Sequence, residues 1–112
     1  MSSTILRIPL RSGEPSQALT VLLDGVRFRL VLDWNGRIGR WVLGLSHADS
    51  GRLLFGGRVL AARSDLLRLY RFSDDCPRGS LVLVDASGAE REPDLTSLGL
   101  ESGHALWYLP AD

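Results

Sequence analysis

Residues 23–34 read Leu23-Asp24-Gly25-Val26-Arg27-Phe28-Arg29-Leu30-Val31-Leu32-Asp33-Trp34, and this stretch decides the fold class. Val26, Phe28, Leu30, Leu32 and Trp34 fall on one side of an extended chain, and Arg27, Arg29, Val31 and Asp33 on the other. A period of two means one face buried and one face wet, the signature of an antiparallel sheet. The Asp24-Gly25 step before it joins a second run, Gln17 to Leu23. Asp-Gly between two alternating runs is the strongest short-range hairpin signal, because both residues tolerate the positive φ of a tight reversed turn.

The same grammar extends in both directions. Ile5 to Leu10 reads as a short strand ended by the loop cluster Arg11 to Pro15. After Trp34, the turn Asn35-Gly36-Arg37-Ile38-Gly39 leads into Arg40 to Ser46, with Trp41, Leu43 and Leu45 on one face. His47 to Gly51 is another turn. Arg52 to Phe55 and Arg58 to Ala62 are strand-like and interrupted by Gly56-Gly57, where a bulge or bend is expected. Ser64 to Arg71 is the one candidate helical turn, with Ser64 and Asp65 as caps. Ser80 to Asp85 is a nearly continuous apolar run, consistent with burial on both faces. Glu90 to Leu100 is irregular and polar, and Ala105 to Leu109 closes the chain before Pro110. The expectation is all-β: one small antiparallel β-sandwich or partly open barrel of about seven short strands, with one short helical turn. Residues 1–112 form a single domain, since no linker divides them and no repeat is evident.

Composition agrees and excludes several function classes. The 112 residues are 45% hydrophobic and 23% charged, with thirteen bases, thirteen acids and formal net charge zero, so non-specific binding to a polyanion has no electrostatic surplus to draw on. All thirteen bases are arginine, a planar, weakly hydrated group that tolerates interface burial better than lysine does. No apolar run approaches a membrane span. Met1-Ser2-Ser3 is not followed by the basic and apolar regions of a secretory signal.

No catalytic constellation assembles. His47 sits in a turn with Asp49 and Ser50, where local backbone capping explains all three. His104 starts the last strand and reads as a strand-edge residue. No paired histidine or Cys-x-x-Cys spacing offers a zinc site. Cys76 follows Asp74 and Asp75, whose charges disfavour a thiolate, and reads as an incidental loop thiol. Gly36-Arg37-Ile38-Gly39-Arg40 precedes a strand rather than a helix, so the phosphate-binding physics of a helix N-terminus is missing. The chain is expected to be no enzyme and to need no cofactor or metal.

The remaining cluster is aromatic and cationic: Arg27, Arg29, Trp34, Arg37, Arg40 and Trp41. Exposed on paired strands, Trp34 and Trp41 with the four arginines would form a stacking platform for single-stranded nucleic acid, the alternative function. Their positions in the alternation instead place both tryptophans in the core and the arginines outside. Arg27, Arg29, Arg37 and Arg40 are therefore the candidate protein–protein interface, a role in which arginine is enriched.

The order of features along nearly the whole chain resembles the small baseplate plug proteins of tailed bacteriophages and phage-tail-like particles. The resemblance is carried by Arg7-Ile8-Pro9-Leu10, Gln17, Leu23-Asp24-Gly25, Trp34-Asn35, Arg40-Trp41, Asp49 and Gly51, Leu54 and Gly56. It continues through Asp65-Leu66-Leu67, Tyr70, Pro77, Gly79, Asp85, Leu98-Gly99 and Tyr108-Leu109-Pro110. Leu19 and Val21 depart from the more aromatic first hairpin of the family, and residues 86–97 are not distinctive. The resemblance implies a structural virion part near the tail axis of the baseplate, contacting hub, tube or spike proteins, without cofactor or catalytic residue. It further implies assembly in the bacterial cytoplasm and no membrane partner.

Overall fold

In a computed structural model, residues 5–61, 65–68, 76–85, 87–88, 91–98 and 103–110 are described. They hold seven strands: β1 (Leu6–Ile8), β2 (Ser16–Leu23), β3 (Val26–Asn35), β4 (Arg40–His47), β5 (Leu53–Val59), β6 (Ser80–Asp85) and β7 (His104–Leu109). All pairings are antiparallel, in two sheets: a four-stranded meander β2-β3-β4-β5 and a three-stranded sheet β1-β7-β6. The sheets share one apolar core and do not close into a barrel, so the sandwich is the fold.

The centre of the deciding stretch behaves as its pattern dictates. Val26, expected on the buried face, is instead exposed beside the turn, and Trp34 is only half-buried, because both lie at the ends of the strand where the opposite sheet no longer covers them. Asp24 (φ 52°) and Gly25 (φ 83°) make the two-residue turn, and Leu23 pairs with Val26 across it. Phe28, Leu30 and Leu32 are buried while Arg27, Arg29 and Asp33 are exposed. Trp41, Leu43 and Leu45 enter the core from β4, and Trp34 meets Trp41 edge-to-face with ring centroids 5.6 Å apart. The two strands expected around Gly56-Gly57 are one, β5, running through a bulge at which the register against β4 shifts. Gly57 takes φ 73° there, a left-handed value that favours glycine.

Two further expectations need correction, and a third falls partly outside the described residues. Ser80 to Asp85 is buried on one face only: Leu81, Leu83 and Asp85 point inward, whereas Val84 is exposed. Its continuous apolar run reflects a half-covered outer face, not a strand between two layers. His104 is no strand-edge residue. It lies fully buried on β7, the central strand of its sheet, opposite Asp85. The helical turn expected over 64–71 falls partly outside the described residues. The part that is described, 65–68, is a turn in which the Arg68 N–H donates to the Asp65 carbonyl at 3.3 Å.

The polar stretch 91–98 has the most structural weight beyond its composition. It covers the end of the core at Trp41: the indole Nε1 donates to the Asp94 carbonyl (2.8 Å), and Pro93, Ser97 and Leu98 are buried. The Gly13 N–H donates to the Leu95 carbonyl at 3.2 Å, and the Ser12 hydroxyl to the Thr96 carbonyl at 2.6 Å. Gln17, also buried, exchanges two 2.9 Å bonds with the backbone of Arg11 and so pins the loop before β2.

Candidate interaction surface

The four candidate interface arginines lie in two pairs, the Arg27/Arg29 face and the Arg37–Arg40 turn. Arg27 and Arg29 are neighbours on the outer face of β3, near the Asp24-Gly25 turn. Arg37 sits in the 36–39 turn and Arg40 at the start of β4, at the other end of β3. At about 3.4 Å per residue, the two pairs stand roughly 20–30 Å apart. They cannot grip one small ligand together.

Their local settings also differ. Arg27 makes an exposed ion pair with Asp49 across the turn ends (3.2 Å), the kind of contact worth little in water. Arg29 is exposed opposite Thr20 on β2 and Ser46 on β4. Arg37 is exposed, and its N–H donates to the Asn35 Oδ1 (3.0 Å), which shapes the turn. Arg40 is half-buried: Nη2 donates to the Leu60 carbonyl (3.0 Å) and pairs with the Glu92 carboxylate. Arg40 therefore ties the 91–98 segment to β4. The sequence offered no signal for this, because its partners lie twenty and fifty-two residues away.

The stacking platform does not assemble. Trp41 has no exposed surface and its indole N–H is already engaged. Trp34 is half-buried against it.

The end of the sandwich beside Arg27 has a different character. Leu22 (59% exposed) and Val26 (42%) flank the Asp24-Gly25 turn and place apolar area beside it; Leu53 (67%), Ile5 (57%) and Leu109 (39%) are exposed elsewhere on the two sheets. The Asp24-Gly25 end is fixed by Tyr108. Its hydroxyl donates to Asp24 Oδ2 (2.5 Å) and accepts from the Gly79 N–H (3.0 Å), so the turn of one sheet is bonded to the central strand of the other. Burial of the phenol, reinforced by the Asp24 carboxylate, holds its pKa well above the usual tyrosine range.

The opposite end is held by charge. Asp85 is buried and accepts from Arg91 Nε (2.8 Å), Arg91 Nη2 (3.1 Å) and the backbone N–H groups of Ser87 and Arg91 (3.0 Å each), with the Ser87 hydroxyl at 2.8 Å. The Arg91 guanidinium above all, helped by these donors and opposed by desolvation, keeps the carboxyl far below the usual carboxylate range. His104 Nε2 lies 2.7 Å from the Arg91 carbonyl, which makes Arg91 the hub of this end. Its contacts are those of a structural brace, with Nε and Nη2 of Arg91 both directed at Asp85.

His47 stacks on Phe28 (centroids 5.1 Å apart), while Asp49 pairs with Arg27 and the Ser50 hydroxyl accepts from the Arg52 N–H (3.2 Å). The three turn residues therefore serve separate contacts. Cys76 is a buried thiol, and its neighbours Asp74 and Asp75 lie outside the described residues. Among the described residues, no group of three or more His, Cys, Asp or Glu is placed to hold a metal ion, and no helix is long and apolar enough to cross a membrane.

A family model described as Cyanophage baseplate Pam3 plug gp18 matches residues 5–111, nearly the whole chain. No curated protein matches it.

Proposed function

The chain belongs to the cyanophage baseplate plug family, a structural component of the bacteriophage baseplate, and from that premise we propose a non-enzymatic plug-type subunit seated near the tail axis against hub or tube proteins. The family match over residues 5–111 is the observation that carries the reading. The fold supports it. Asp85 and Tyr108 are consumed in bracing the two ends of the sandwich, and His104 Nε2 bonds the Arg91 backbone. What is left facing outward is suited to protein contact: apolar side chains flanking the Asp24-Gly25 turn and exposed arginines beside them.

In this proposal Arg27 and Arg29 dock on acidic surface of a neighbouring baseplate protein. Arg37 provides a second, separate contact at the far end, with Arg40 holding that turn against Glu92. Desolvated arginine pairs at such an interface are worth a few kcal/mol each, and rim pairs far less. The subunit is made and assembled in the bacterial cytoplasm before the particle is complete.

The test is a gradient purification of tail particles from cells that produce them, probed with an antibody to this chain. Co-sedimentation at a fixed ratio to the hub protein is the expected result. A chain found soluble at its own mass and absent from every particle would overturn the reading. An Arg27→Glu/Arg29→Glu double variant should fold normally, because both side chains are exposed, yet fail to enter particles. Its normal incorporation would remove these two arginines from the interface.

A further inference from the structure

Each sheet of a sandwich has two edges, and a long, flat, uncharged edge is a template for another strand unless the protein blocks it. Three of the four edges here are blocked. β1 is only three residues long and carries Arg7. β5 is distorted by the Gly56-Gly57 bulge. β6 is bridged by the 65–68 turn, through Asp65 opposite Val82 and the Leu66 N–H donating to the Leu81 carbonyl (2.8 Å). The fourth, β2, has none of these devices. Its eight residues, Ser16-Gln17-Ala18-Leu19-Thr20-Val21-Leu22-Leu23, contain no charge and no proline, and they pair with β3 in unbroken register.

The turn geometry says which backbone groups are on offer. A two-residue turn makes Leu23 and Val26 the closing hydrogen-bonded pair, so residues 23, 21, 19 and 17 bond to β3. The Trp34 N–H donating to the Pro15 carbonyl (2.7 Å) continues the same odd-numbered series. The N–H and C=O groups of Leu22, Thr20 and Ala18 therefore point away from β3. All three residues are exposed, and no backbone bond is made there among the described residues.

We infer that β2 accepts a strand donated by a neighbouring protein, extending the four-stranded sheet to five. This deepens the proposed function and rests on it. The surroundings specify the donor. Half-buried Leu19 lies on the core side of the edge, so the donated strand is apolar on that side. On the outer side, Arg29 stands opposite Thr20 and Arg27 opposite Leu22, within reach of acidic side chains about 10 Å away on the added strand. The donor thus alternates apolar with acidic. A second copy of this chain does not fit as well, because two β2 edges meeting would bring both copies' Arg27 and Arg29 onto one face.

Thr20→Pro tests this cleanly. It removes an N–H that points outward, so the ladder to β3 is kept, while a neighbour loses a bond and meets the ring. The variant should keep the wild-type circular dichroism and enter tail particles roughly ten-fold less or worse, while Thr20→Ala enters normally. In wild-type particles, amide exchange over residues 16–23 should be slowed relative to the free chain, a readout that needs no variant. Equal incorporation of Thr20→Pro and wild type, or unchanged exchange over 16–23 in the particle, would overturn strand addition and leave the baseplate reading standing. A free wild-type dimer that Thr20→Pro abolishes would replace the foreign donor with a second copy. Absence of the wild-type chain from all particles would overturn both proposals together.

Discussion

Removing one oxygen atom, by Tyr108→Phe, should detach the two sheets from each other at the Asp24 end. The hydroxyl gives its proton to Asp24 Oδ2 at 2.5 Å and takes one from the Gly79 N–H at 3.0 Å. Gly79 is buried, so its N–H is left without an acceptor, at a cost of about 1–3 kcal/mol. The bond to the carboxylate is charge-assisted, but Asp24 is exposed and water replaces the phenol there, so only part of its ~1.5–3 kcal/mol is lost. The expected loss is about 2–3 kcal/mol, which for a domain of this size is a fall of roughly 10 °C in Tm. Asp24→Gly sharpens the test. Asp24 holds φ 52°, a conformation that glycine adopts about 1 kcal/mol more easily, so without its bond to Tyr108 this substitution would stabilise. In the wild type it should destabilise slightly, by about 1 kcal/mol; in the Tyr108→Phe background it should turn stabilising by about 1 kcal/mol. Urea unfolding of the four proteins, followed by tryptophan fluorescence, measures the coupling. Additive effects within about 0.5 kcal/mol would refute the latch. The alkaline limb gives an independent check. The folded phenol's pKa lies above its unfolded value near 10, so its contribution is complete below about pH 10 and is lost as pH rises further. Tyr108→Phe should remove that part of the alkaline destabilisation.

Three further outcomes follow from other sites. Asp85 ionises far more readily folded than unfolded, so its contribution is present above about pH 4 and is lost as pH falls toward the folded value; Asp85→Asn should be less stable at neutral pH and show a shallower acid limb in thermal melts. Gly79→Ala would set a Cβ 2.2 Å from the Leu109 carbonyl oxygen and 2.7 Å from Tyr108 Cζ, both held in the sheet, and should cost about 3 kcal/mol or more in chemical unfolding. Trp41→Phe should cost roughly 3 kcal/mol through the lost bond to Asp94 and the space left in the core, and oligonucleotides should leave wild-type tryptophan fluorescence unchanged.

Local chemistry was legible in the sequence wherever neighbours in the chain are also neighbours in space. The Asp24-Gly25 turn, the alternation through the centre of β3 and through β4 and the Gly56-Gly57 bulge all depend on residues a few places apart, and all form as read. His104 was misplaced because its burial depends on β6 pairing with it on one side and the 97–98 segment on the other, a long-range arrangement that no local pattern encodes. The segment 91–98 looked featureless for a related reason. Its polar groups are satisfied by Gly13, Ser12 and Trp41, far away in sequence, so composition alone gives it the appearance of a loop. Arg40 was legible as a cation but not as a brace, since Glu92 and the Leu60 carbonyl are brought to it only by the finished fold.

The strand order β1-β7-β6 also sets a timetable. β2 to β5 pair in the order in which they are synthesised, each hairpin closing over a short loop, so this sheet can form while the ribosome is still at work. β1 is made before all of them yet bonds only to β7, whose residues 104–109 emerge nearly a hundred positions later. Until then the apolar face of the meander has no second layer over it, and the nascent chain carries an exposed, sticky surface. Stalled chains released before residue 104 should accordingly show protection in β2–β5 and none in β1. Uniform protection or none in such chains would refute this sequence of events.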